Sequence, residues 1–216
     1  AGLAQKGGAV YSHVRLANSP EEIHAIRVAA GSADLVLGCD LVVTGMKKVL
    51  AGVSPGRTAL VVNTAETYPG DFTRNPDFSL PAARLRREID RVARGERLDF
   101  LDATAIATAV LGNAIAANMM MLGFAFQKGA IPLSAAAIER AIALNGEAVP
   151  MNLEAFRLGR RAAAHPEGLA KLVASLKAPT KARMLSETLD EAVARRVDFL
   201  TAYQSKRYAK SYERLV

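Results

Sequence analysis

Apolar residues follow two rhythms along this chain. Through about residue 101 they come in short runs separated by helical or turn-like stretches. Ala9–Leu16 (AVYSHVRL) mixes β-branched and aromatic residues with partial alternation, which predicts a strand. Ala33–Gly38 (ADLVLG) is a short apolar run ending at Cys39-Asp40, the pattern of a buried strand. Leu41–Leu50 reads as a helix ending near Gly52. Thr58–Val62 (TALVV) is a second buried-strand run, followed by the polar turn Asn63-Thr64. Leu98–Leu101 (LDFL) is another, followed by Asp102. A proline-bearing loop, Tyr68–Pro81, and an arginine-rich helix, Ala82–Arg94, lie between the last two. Strands spaced by helices in this way predict an α/β layered domain.

From Ala103 the rhythm becomes helical. Helices are expected at about 104–111, 114–128, 134–145 and 149–163, separated by Gly112-Asn113, Gly129–Pro132 and Asn145-Gly146. Ser134 suits an N-cap after Pro132. His165-Pro166-Glu167-Gly168 and Ala178-Pro179-Thr180 read as breakers. A last helix is expected over about 182–214. Its apolar stripe is Leu185, Leu189, Val193, Val197, Leu200, Tyr203, Tyr208, Tyr212 and Leu215, opposite an Arg- and Lys-rich face. Nothing between Asp102 and Lys128 is charged, which is a membrane-spanning length. Alanine dominates there, however, and Thr104, Thr108, Asn113, Asn118 and Gln127 interrupt it. Two buried helices of a soluble domain are the better reading.

Composition narrows the chemistry. The chain has 216 residues and is half hydrophobic, enough for a real core and too apolar for disorder. Cys39 is the one cysteine, so one copy can build neither a disulfide framework nor a Cys-based zinc site nor an iron–sulfur cluster. His13, His24 and His165 are scattered without metal-ligand spacing. A reduced, cytoplasmic setting is expected, with no signal peptide. The net charge of +7 is uneven. Residues 1–150 hold 15 Lys and Arg against 14 Asp and Glu; residues 151–216 hold 13 against 7. A basic tail reads as a solvated helix surface or as a docking face for an acidic partner.

The densest polar cluster is Gln5-Lys6-Gly7-Gly8 followed by Ser12-His13-Val14-Arg15. Paired glycines let backbone N–H groups approach a ligand, and Lys6 adds a charge suited to phosphate or carboxylate. On a strand, His13 and Arg15 would share a face. A plain turn and an ordinary histidine explain the same residues. Loops after strands hold ligands in α/β sheets, which nominates Cys39-Asp40, Asn63-Thr64 and Asp102–Thr104. Asp40 and Asp102 also suit helix N-caps. Cys39 reads as a small buried residue without an adjacent base. Met119-Met120-Met121 reads as core packing. Asn118, amid apolar residues, would need a partner if buried, as a core cap or a ligand contact. Tyrosines 203, 208 and 212 among Lys206, Arg207, Lys210 and Arg214 could stack on nucleic acid, though helix packing explains them as well. No Gly-x-Gly-x-x-Gly, Walker, His-Glu-x-x-His or Gly-x-Ser-x-Gly motif occurs.

The segment GLAQKGGAVYSHVRL resembles the gamma-type domain of the 2-oxoacid:ferredoxin oxidoreductases, in the indolepyruvate branch that includes fused forms. Residues 31–43, 56–77, 101–134 and 137–163 fit the same branch in order. The resemblance implies a Rossmann-like three-layer α/β/α sandwich over residues 1–163, with a mostly parallel sheet. A helical basic extension would follow over 164–216. The family's usual opening strand and Gly-rich loop are not found at the start of this sequence, which reads as a fragment. The implied parent decarboxylates a 2-oxoacid, such as an aryl pyruvate, on thiamine diphosphate. Electrons pass through [4Fe-4S] clusters to ferredoxin, and the acyl group goes to coenzyme A. This chain is expected to bind no cofactor alone. The thiamine- and cluster-bearing domains or subunits are its expected partners, in an oligomer. Substrate or coenzyme A contacts are expected at Gln5, Lys6, Gly7 and Gly8, and more weakly at Ser12, His13 and Arg15; the strand-end and helix reading adds Asn63, Thr64 and Asn118. A non-catalytic assembly module is the main alternative. A nicotinamide-dependent Rossmann-like enzyme is weaker, since its glycine fingerprint is missing. Neither nucleic acid nor membrane is an expected partner.

Overall fold

Three of the four apolar runs become strands of one parallel sheet. They are β1 (Leu35–Gly38), β2 (Ala59–Asn63) and β3 (Leu98–Leu101), in the order β1-β2-β3. Leu35 pairs with Ala59, and Leu60 with Leu98. The computed structural model describes residues 10–66, 81–95, 97–177, 186 and 188–216. It divides into two compact units, Ala1–Leu176 and Lys177–Val216.

All five residues of β2 are buried, as the central strand of a doubly covered sheet requires. Side-chain alternation assigns the two faces. Leu60 and Val62 pack with Leu41 of α1 (Leu41–Thr44), Leu50 of α2 (Lys47–Leu50), and Ala82, Ile89 and Ala93 of α3 (Ala82–Ala93). Val61 points the other way, into a cluster with α4 (Ala103–Leu111), α5 (Ala117–Gln127) and α7 (Val149–Ala164). The result is an α/β/α sandwich. In it α6 (Ala135–Asn145) packs on α7 through Ile138, Ile142 and Phe156. α8 (Pro166–Lys177) adds Leu169 and Val173 to the α5–α7 cluster. Met120 and Met121 are fully buried there, so that methionine run is core. Among the described residues, no helix is long and apolar enough to cross a membrane; the uncharged stretch folds as α4, a 3-10 turn at Ala114–Ala116, and α5.

Several expectations needed correction. Residues 10–16 of the Ser-His-Val-Arg segment form no strand; they carry no regular secondary structure and are exposed. β propensity registers fit to a pleated, half-buried surface, and among the described residues no strand pairs with this segment. Leu41–Leu50 is two four-residue helices rather than one. The break falls where Gly45 lies against Leu85 and Met46 turns extended at ψ 137°. The expected break at His165–Gly168 falls on His165 alone: α7 ends at Ala164, His165 leaves the helical conformation at φ −138°, and Pro166 opens α8, where its missing N–H costs nothing. The long last helix is two, α9 (Leu189–Tyr203) and α10 (Lys206–Glu213). Ser205 caps α10, accepting from Tyr208 N at 3.3 Å. A stripe of three- and four-residue spacing is the same for one long helix and for two helices folded on each other. Leu185 and Ala178–Thr180 lie outside the described residues.

Candidate functional site

The carboxyl ends of the three strands meet at one edge of the sheet, where parallel α/β sheets place ligands. Asn63, the last residue of β2, organises that edge. It is 3% exposed. Its Nδ2 donates to the Cys39 carbonyl at 3.2 Å and to Thr104 Oγ1 at 2.9 Å. Its Oδ1 accepts from Ala103 N at 3.1 Å and Ala65 N at 3.3 Å. Two donors and two acceptors complete the usual capacity of an amide. Asn63 therefore ties the loop after β1, its own loop and the start of α4 into one surface.

The flanking carboxylates serve the helices. Asp40 Oδ1 accepts from Val43 N at 2.8 Å, and Asp102 Oδ1 accepts from Ala105 N at 2.9 Å. Both expected N-caps are present, each satisfying an N–H that the helix leaves unbonded. Thr44 Oγ1 donates to the Asp40 carbonyl and packs on Gly38, where a Cβ would strike that hydroxyl. Cys39 is exposed rather than buried. Its thiol is nevertheless raised above its ordinary value, first by partial desolvation and then by the Asp40 carboxylate. It is held protonated, the opposite of an activated nucleophile. Thr64 is half-buried and donates its N–H to the Leu101 carbonyl at 3.0 Å. This edge can offer hydrogen bonds and shape to a ligand. Among the described residues, no cluster of three His, Cys, Asp or Glu side chains could hold a metal ion.

The other expected site residues are placed differently. Gln5, Lys6, Gly7 and Gly8 lie outside the described residues. Ser12 is exposed. His13 and Arg15 act on the same following stretch: His13 Nδ1 accepts from Val28 N at 3.1 Å, and Arg15 Nη1 donates to the Ala25 carbonyl at 2.7 Å. Tyr11 meets the His13 ring edge-on at 5.5 Å and lies under Lys48 Nζ at 4.5 Å. These contacts pin residues 11–28 as a doubled-back arm. Asn118 is exposed in the first turn of α5, so the expectation of a buried amide seeking a partner is corrected. Sequence reading missed Thr58, buried under the start of β2. Its Oγ1 donates to the Ala33 carbonyl at 2.7 Å and accepts from Ser54 N at 2.8 Å. A threonine opening an apolar run was the only available signal.

The pyruvate ferredoxin/flavodoxin oxidoreductase family matches over residues 1–162. Among curated proteins, the indolepyruvate oxidoreductase subunit IorB of Pyrococcus horikoshii is 28% identical over 172 residues, 75% of this chain and 77% of the relative. The protein of the same name from Archaeoglobus fulgidus is 25% identical over 164 residues, 73% of this chain and 75% of the relative. No solved structure matches the chain significantly. The family match takes in the three strands, the loops at their carboxyl ends and the helices through α7 up to residue 162, and by it the chain belongs to the pyruvate ferredoxin/flavodoxin oxidoreductase family.

Proposed function

We propose that this chain is the gamma-type part of an indolepyruvate, or other aryl 2-oxoacid, ferredoxin oxidoreductase. The supporting observation is the family match over residues 1–162, joined by two relatives both named as indolepyruvate oxidoreductase subunits. A cluster needs several thiolates, and Cys39 is the one cysteine of these 216 residues, so the donor set does not fit an iron–sulfur cluster. In this reading clusters and thiamine diphosphate belong to partner domains or subunits. This chain supplies a wall of the active-site region or part of the coenzyme A site.

The proposed contacts divide by what their atoms are free to do. Asn63 spends its amide inside the chain and acts as a positioning residue, holding the loop that carries Thr64. Thr64 at the sheet edge and exposed Asn118 are the candidates to meet a ligand directly. The Lys6 ammonium and the Gly7-Gly8 amides are suited to a phosphate-bearing one.

Reconstitution tests the reading. The chain is mixed with the thiamine- and cluster-bearing part, and indolepyruvate-dependent reduction of ferredoxin is followed with coenzyme A present. Neither part alone should turn over, and the mixture should. Lys6→Ala should weaken coenzyme A binding measured by calorimetry on the assembled complex. Turnover by the chain alone, or full turnover by the partner without it, overturns the proposal. A complex that assembles through this chain but ignores Lys6→Ala and Thr64→Ala supports an assembly module instead.

A further inference from the structure

The second unit has almost no core of its own. Among its described residues only Ala209 is a buried apolar side chain. The α9–α10 hairpin instead leaves Leu189, Phe199, Tyr203, Tyr208, Leu215 and Val216 exposed, from 46% to 86% of each residue. Both helices are well started: Thr188 Oγ1 accepts from Glu191 N at 3.2 Å, and Ser205 caps α10. Local signals thus define the hairpin, and little within it holds the two helices together. Two short helices bury too little apolar surface to be stable unaided.

The two flanks of the hairpin differ in charge. One groove is lined by Leu189, Val193, Ala194, Val197 and Val216, and is rimmed by Asp190, Asp198 and Glu213. The other is lined by Leu200, Tyr208, Tyr212 and Leu215 beside Arg196. On α10 and its end, that second edge is neighboured in sequence by Arg207, Lys210 and Arg214. A helix entering the acid-rimmed groove must carry an apolar stripe with basic residues beside it. α10 is such a helix.

We propose that the hairpin is a self-association element: α10 of a second copy of this chain lies in the acid-rimmed groove, and the reciprocal contact completes a four-helix bundle. Two hairpins arranged this way make an isologous, closed dimer. Each buries the apolar residues that the other leaves open, in the manner of antiparallel four-helix bundles. The Asp190, Asp198 and Glu213 rim then faces the Arg and Lys edge of the other copy. This inference does not rest on the oxidoreductase reading, because residues 177–216 lie outside the family match.

A charge-swap experiment on the full chain tests it. Sedimentation equilibrium should find the wild-type chain dimeric, with association weakening as salt rises. Asp190→Arg with Asp198→Arg, and separately Lys210→Glu with Arg214→Glu, should each weaken dimerisation by roughly tenfold or more, because like charges would then face each other. Mixing the two variants should restore a dimer of one copy of each, and circular dichroism of each alone should match the wild type. A monomeric wild type overturns the proposal. So does dimerisation that both variants retain, or a mixture of folded variants that stays monomeric. A catalytically competent complex containing a single copy of this chain would remove the dimer and leave the proposed activity standing.

Discussion

Gly123 and Gly159 face each other's helices across the crossing of α5 and α7. A Cβ at Gly123 would strike the Phe156 carbonyl oxygen and stand 2.8 Å from the Phe156 carbonyl carbon. A Cβ at Gly159 would strike the Met120 carbonyl oxygen and stand 2.8 Å from Phe124 N. The two contacts are reciprocal, each glycine lying three residues beyond the backbone that the other touches. The obstacles are main chain, so no side-chain rotation relieves them. This crossing lets Met120, Met121, Ala155 and Ala162 be buried between the helices and the sheet.

Gly123→Ala and Gly159→Ala should each destabilise the chain by roughly 3 kcal/mol or more, by forcing the helices apart. Gly168→Ala in α8 is the control. The nearest atom to its new Cβ, on His165, is 4.0 Å away. It should gain about 0.5 to 1 kcal/mol from helix propensity alone. Urea midpoints of the three variants decide the matter.

Asn63→Ala should cost roughly 2 to 4 kcal/mol, since it strands the buried Ala103 N–H and frees two loops at once. Hydrogen exchange should show lost protection at Ala103 and Ala65, with α6 unaffected. Uniform loss of protection across the chain would mean that Asn63 supports global stability rather than the sheet edge.

Asp102→Ala should cost about 1 kcal/mol through loss of the α4 cap, and Ser134→Ala a similar amount at α6. Asp102→Asn should retain most of the stability, because its amide oxygen still accepts from Ala105 N. Thermal melts of the three variants would show it.

Glu139 on α6 is held below the ordinary glutamate value of 4.5, chiefly by the hydrogen bond from Arg157 on α7. A lowered folded-state value means stabilisation that is present above the unfolded value and lost as pH falls through the folded one. Glu139→Gln should therefore be less stable than wild type at neutral pH and converge with it in acid. The pair is exposed to solvent and its effect small, so the shape of the pH profile is the readout.

Cys39 should alkylate slowly for an exposed thiol. Iodoacetamide should react with it more slowly than with free cysteine at neutral pH, and the rate should climb at higher pH than usual. Asp40→Asn should speed the reaction modestly, since the carboxylate is the smaller of the two causes. A rate above that of free cysteine would mean an activated thiol.

The helix starts show how much was legible in the residues. Asp40, Asp102 and Ser134 each bond an N–H three residues on, so a local reading reaches the whole interaction. Runs such as ALVV likewise name a buried strand, because a strand covered on both faces has no polar side to show. Asn63 was legible as a strand-end residue only. Its partners lie 24, 40 and 41 positions away, and nothing local says that its amide would be used up inside the chain. The Ser-His-Val-Arg segment failed for the converse reason: it has strand character, but among the described residues no strand pairs with it.

The sequence by itself determined the α/β order, the three apolar strands, the caps and the family resemblance, because each is written in residues close together in the chain. Only the tertiary structure decided that two glycines 36 positions apart would let α5 and α7 touch, that Asn63 would lace the sheet edge, and that the basic tail would fold as a hairpin. Those outcomes depend on which surfaces meet in space. Helical periodicity records which face of an element is apolar, but not what comes to cover it.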